Sequence, residues 1–314
     1  MRIGRLAAGL HPLTAPHPTG KVTMSATETI GDASQRPYLW WGALCLISLV
    51  NAVAWSFAAA RLRRQRTSTD PSHYALRRWQ LVLSAVFVLV CAFRSVFPRA
   101  DVQRICLHDS WLSSVLIGRS LATVAELCFT AQWAILLGEL GRSTRTSAAL
   151  LVARVLVPLI AVAEVCSWYA VLTTSYIGNM MEESIWALSA TLATASAVAI
   201  WPRLERRHRP LLGAAILFGV AYVTFMCTVD VPMYASRWLG DQASGRQYLS
   251  LAEGLRDVSL RWVVTSAWAE WRPEIPWMTL YFSVVVWVSI ALMHAPAFAG
   301  RRSIQRRGSG LQNG

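Results

Sequence analysis

Ser113-Ser-Val-Leu-Ile-Gly-Arg-Ser-Leu-Ala-Thr-Val-Ala-Glu-Leu-Cys-Phe-Thr-Ala-Gln-Trp-Ala-Ile-Leu-Leu-Gly138 is an apolar run of membrane-spanning length that still carries an arginine and a glutamate. About 20 mostly apolar residues suffice to cross the hydrocarbon of a bilayer as a helix. In this run Arg119, Thr123, Glu126 and Thr130 recur at spacings of four, three and four, which puts them on one helical face. Ionised groups facing lipid are costly, so that face is expected to look into a bundle or a wet cavity.

Stretches of the same length lie on either side. Spans are expected near 38–60, 79–98, 113–138, 148–172, 184–202, 211–233 and 276–298, the fifth being the weakest. The composition agrees: 54% of residues are hydrophobic, 15% are charged and mean hydropathy is positive at +0.39, outside the pattern of a soluble domain. The expected fold class is therefore all-α, a polytopic bundle of about seven transmembrane helices over 38–299. A tail of 1–37 precedes it and a short basic tail of 300–314 follows. Met24 is an alternative start that would leave 1–23 untranslated, and the first 37 residues hold no apolar core of signal-peptide length.

Orientation follows from the basic residues. Arg61, Arg63, Arg64, Arg66, Arg77 and Arg78 follow the first span, Arg142 and Arg145 the third, and Arg203, Arg206, Arg207 and Arg209 the fifth. Arg301, Arg302, Arg306 and Arg307 lie in the tail, and the only acids on this side are Asp70, Glu139 and Glu205. The positive-inside rule then puts the carboxyl terminus in the cytoplasm and the amino terminus outside. The expected location is the bacterial cytoplasmic membrane, and arginine-rich, lysine-poor usage points to a GC-rich genome. The net charge of +13 reads as a topology signal that also attracts anionic lipid. With no soluble basic domain, nucleic acid is not an expected partner. Membrane lipids are, together with a small-molecule or lipid ligand; whether a protein partner exists is left open by the sequence.

The ionisable residues of the spans mark the candidate site. At 1.5 Å per residue, Arg94, Arg119 and Glu164 lie roughly 6, 9 and 12 Å inside the outer surface, with Asp230 near that boundary and Glu126 near the midplane. Arg119 and Glu126 are about 10 Å apart along the axis, which argues for partners on other helices rather than for each other. Arg154 alone lies toward the inner side, where it can snorkel to headgroups. The candidate ligand-binding set is Arg94, Arg99, Arg104, Arg119, Thr123, Glu126, Glu164 and Asp230. The candidate acid/base groups are Glu126, Glu164 and Asp230. The competing reading makes the same charges register pairs between helices.

Two outer loops complete the picture. Phe97–Ser114 mixes both charge signs, with Asp109 or Ser110 placed to cap the third helix, and Arg99 and Arg104 able to receive an anionic group. The long stretch 234–275 holds Trp238, Tyr248, Trp262, Trp268 and Trp271. Within it Leu251, Leu255, Val258 and Trp262 share one face of an amphipathic helix, either lying on the leaflet or closing the bundle mouth. The short loop 174–184 adds Glu182 and Glu183 as partners for the loop arginines.

Absences narrow the classes. Lys21 is the only lysine, so no span can carry a retinal Schiff base; no HxxxH or CxxC is present, and no cofactor or metal is expected. The six cysteines form no readable framework, and only Cys106, in a loop, invites the question of a disulfide. Three functions remain open. One is an outward-opening site that binds a polar-headed or lipid-like ligand. The others are a metal-independent enzyme acting on a lipid or isoprenoid and a proton- or cation-coupled transporter.

Overall fold

The computed structural model describes residues 26–66, 70–296 and 298; the Met24 start and the basic tail lie outside them. Within the described residues the chain is all-α, with seven helices long and apolar enough to cross a membrane. α1 (Ala26–Arg64), α2 (Pro71–Val96), α3 (Val115–Thr144), α4 (Ser147–Thr173) and α5 (Tyr176–Ile200) supply the first five. The sixth runs through α6 (Arg209–Phe225), a π-helical turn at Met226–Asp230 and α7 (Val231–Ser244). After the short α8 (Leu251–Leu260) and α9 (Trp268–Trp271), the seventh consists of α10 (Ile275–Leu280), a second π turn at Tyr281–Val285 and α11 (Val286–Leu292).

Two boundaries differ from the sequence expectation. The fifth helix starts at Tyr176, not at 184, so Glu182 and Glu183 belong to a helix and not to a loop. The sixth continues to Ser244, absorbing the first part of the expected 234–275 loop. Pro232, which lacks an N–H for the preceding turn, is the second residue after the π turn, where the wider ladder tolerates it. The helix stops where Gly245 takes a left-handed φ of 66° and its N–H caps the carbonyls of Asp241 and Gln242.

Neighbouring helices pack in chain order, α1 on α2 through α4 on α5; the sixth helix rests on α5, and the seventh returns to α1, α2 and α3. Buried polar bonds set this return. Gln132 Nε2 donates to the Gln80 carbonyl (3.2 Å) and the Ser289 carbonyl (3.1 Å), while Ser289 Oγ donates to Gln132 Oε1 at 2.6 Å. Asn51 Nδ2 donates to the carbonyl of Phe282 at 2.8 Å. In hydrocarbon such groups have no water to fall back on, so they fix which faces meet.

At the end of the bundle away from the arginine-rich turns, three two-residue strands interrupt the all-helical pattern. β1 (Arg99–Ala100) pairs antiparallel with β2 (Ile105–Cys106), which pairs parallel with β3 (Val263–Val264), so the 97–114 loop is stitched to the segment after α8. α8 itself packs on α4 and α3. It turns Gly254 and Val258 inward and leaves Leu251 and Leu255 exposed, so the expected apolar stripe splits between protein and surroundings. Ser114, one residue ahead of α3, caps it; Ser110 caps a single 3-10 turn before that, and Asp109 instead accepts the indole N–H of Trp262 at 2.9 Å. All six cysteines are free, Cys106 among them.

Candidate functional site: a carboxylate cluster on one arginine

The polar face of α3 meets α4 and α5. One nitrogen, Arg119 Nη2, contacts three carboxylates: Glu164 Oε2 at 2.5 Å, Glu182 Oε1 at 3.2 Å and Glu126 Oε2 at 3.3 Å. Thr123 donates to Glu164 Oε2 at 2.6 Å, and Trp168 Nε1 donates to the Thr123 hydroxyl at 3.2 Å. Arg119, Glu164 and Glu182 are buried, with Glu126 half-buried beside them. Arg119 therefore does have partners on two other helices, as its spacing implies. It also touches Glu126, which the spacing argues against. The Glu126 Cβ tilts back toward the helix amino terminus, and the long arginine chain reaches along the axis to meet it.

Among the described residues, four buried polar atoms here lack a hydrogen-bond partner: Arg119 Nε, Glu164 Oε1, Thr130 Oγ1 and Ser189 Oγ. Thr130 is one turn beyond Glu126 on α3 and Ser189 two turns beyond Glu182 on α5, each on its helix's cluster face. Buried atoms of this kind are exceptional and call for an explanation. The oxygens of Glu126, Glu164 and Glu182 lie within 4.8 Å of one another, an all-oxygen set of the sort that holds hard cations. The expectation of no metal rested on histidine and cysteine patterns, which do not register three carboxylates brought together from three helices.

The remaining predicted residues gather elsewhere. Arg99 Nε lies 2.5 Å from Asp101 Oδ1 and its guanidinium also donates to the Ser113 carbonyl; Arg94 lies 3.8 Å from the same aspartate and over the Phe282 ring. Arg104, at a left-handed φ of 59°, pairs with Asp257 of α8 at 2.9 Å and donates to the Val171 carbonyl at 2.5 Å. Burial alone would raise the Asp101 carboxyl, but the charges of Arg99, Arg94 and Arg119 hold it below the usual range. Burial lowers Arg104, with Asp257 opposing. The loop arginines expected to receive an anionic group thus spend their charge on Asp101 and Asp257. The crevice beside Asp101, Arg104 and Asn179 holds about 20 Å³.

Asp230 does not join the cluster directly. It sits in the π turn of the sixth helix, without an ion pair among the described residues, within electrostatic reach of Glu183 and Arg237. Tyr222, on the same helix, is within reach of Glu183, Asp230 and Glu126. Glu182, Glu183, Asp101 and Asp257 were missing from the candidate set. The signal for Glu182 was present: Asn179, Glu182 and Ser189 share a helical face once the fifth helix is read from Tyr176.

Comparison with protein-family models, with characterised proteins and with solved structures gave no match for this chain. Its class therefore rests on its own fold: seven apolar helices compatible with an integral membrane protein.

Proposed function

We propose that this is a bacterial cytoplasmic-membrane protein, amino terminus outside, that accepts protons or another cation on the Arg119–Glu126–Glu164–Glu182 cluster and couples their passage to its work. The observation that carries the reading is the sharing of one guanidinium nitrogen by three carboxylates. A single positive charge against three negative ones leaves an excess that protons or a cation would balance, because uncompensated charge is costly within a bilayer. Glu183 and Asp230 add to the excess. Among the readings open from sequence, this favours the proton- or cation-coupled transporter. A polar-headed ligand would enter this site through a cationic group, since the arginines offered to an anionic one are already paired.

The test is reconstitution in liposomes enclosing a pH-sensitive dye, with sodium, potassium or magnesium gradients imposed in turn. Wild type is expected to move protons or cations and Glu164→Gln to lose that movement while keeping its helical content. If wild type moves neither, and pH shifts its melting temperature no differently from that of Glu164→Gln, the cluster is a set of register pairs and the proposal fails.

A further inference from the structure

At the opposite, arginine-rich end a groove of about 370 Å³ opens between α2, α3 and α4, bounded by Leu76, Leu150, Ala153 and Ala134 together with Arg142 and Arg154. Its size falls in the roughly 300–1,000 Å³ range of small-molecule sites. Small side chains create the space: a Cβ placed on Gly138 would come within 3.7 Å of Ala153 Cβ and 3.4 Å of Arg142 Nη1. Both arginines are exposed, and neither guanidinium makes a hydrogen bond or ion pair among the described residues. Arg142 has only the electrostatic reach of Glu139. This contrasts with Arg94, Arg99, Arg104 and Arg119, each of which is paired with an acid.

The groove lies between three helices long and apolar enough to cross a membrane, and it carries two unspent cations at its lining. We infer that it seats an anionic phospholipid, the phosphate taken by Arg142 and Arg154 and part of an acyl chain laid between α2 and α4. Basic pockets between transmembrane helices hold lipid headgroups in this way, and guanidinium forks suit phosphate oxygens. Arg206 and Arg207, at the same end, do not line this groove, and Arg207 is paired with Glu205 at 2.8 Å. The site is independent of the carboxylate cluster and stands whether or not that cluster moves cations.

The experiment is native mass spectrometry of the full chain released from detergent in equimolar phosphatidylglycerol and phosphatidylcholine with matched acyl chains. Wild type is expected to retain phosphatidylglycerol preferentially. Arg142→Gln/Arg154→Gln should reduce that preference by roughly 30-fold at about 1 kcal/mol per arginine. Ala134→Phe, which fills the trough and keeps both charges, should lose the retained lipid, whereas Arg206→Gln/Arg207→Gln should match wild type. The charge variant alters exposed side chains only, so it reads out even where the filling variant does not fold. Equal retention of the two lipids by wild type overturns the inference. So does an equal loss in the Arg206/Arg207 control, or full retention by a folded Ala134→Phe protein.

Discussion

Arg119 and Glu164 meet at 2.5 Å across the α3–α4 interface, yet Arg119 Nε and Glu164 Oε1 both lack a hydrogen-bond partner among the described residues. This close ion pair is thus incompletely satisfied on each side. That arrangement separates two kinds of substitution. Arg119→Ala leaves the buried Glu164 and Glu182 and the half-buried Glu126 with no counter-charge and should cost about 3–5 kcal/mol. Glu126→Gln removes one of the excess negative charges and should be near neutral or stabilising. Thermal unfolding in a mild detergent distinguishes them, and equal losses would contradict the charge imbalance.

Acid should weaken the loop-bearing end through Asp101. Its carboxyl lies below the ordinary value near 3.9 in the folded protein, so its contribution is fully present above that value. It is lost as the pH falls through the folded value. Melting temperatures between pH 2.5 and 6 should therefore decline on acidification in wild type. Asp101→Asn should start lower and show a flatter acid limb; parallel curves would mean that other groups govern it.

Gly254 lies where any Cβ would run into the Leu172 carbonyl of α4. Gly254→Val should lift α8 from the bundle while leaving the seven long helices in place. Hydrogen exchange read by mass spectrometry should show faster exchange over 251–260 and unchanged protection in α3 and α4. Unaltered exchange over 251–260 would show that this contact does not hold the helix down.

The Cys106 thiol is buried, with its pKa pushed up by that burial, and sits in the small sheet. Since thiolate and access both govern reactivity, a water-soluble maleimide should label it only after unfolding. Rapid labelling of Cys106 in the folded protein would show that the sheet opens readily.

The helices were legible because apolar length and charge punctuation are local properties. The stripe from Arg119 to Thr130 was legible for the same reason, being a matter of period on one helix. Glu182 was not, because a polar opening turn of Tyr-Ile-Gly-Asn resembles a loop until tertiary burial extends the helix through it. The fate of Arg99 and Arg104 was hidden too. Their partners, Asp101 and Asp257, become partners only when the loop folds on itself and onto α8. The parallel pairing of Ile105 with Val263 joins residues far apart in the chain through two-residue strands, too short for any alternation to announce.

The polar lock between Gln132 and Ser289 bears on how the chain is made. α3 is made long before residue 289 is synthesised, so for most of biosynthesis Gln132 lacks its Ser289 bonds and has, among the described residues, Gln80 to meet. The first three helices therefore wait, with a polar seam incompletely satisfied, until the last helix arrives to cover it. A chain cut short before Ser289 would keep the Gln80–Gln132 bonds and lose the two that Gln132 makes with Ser289.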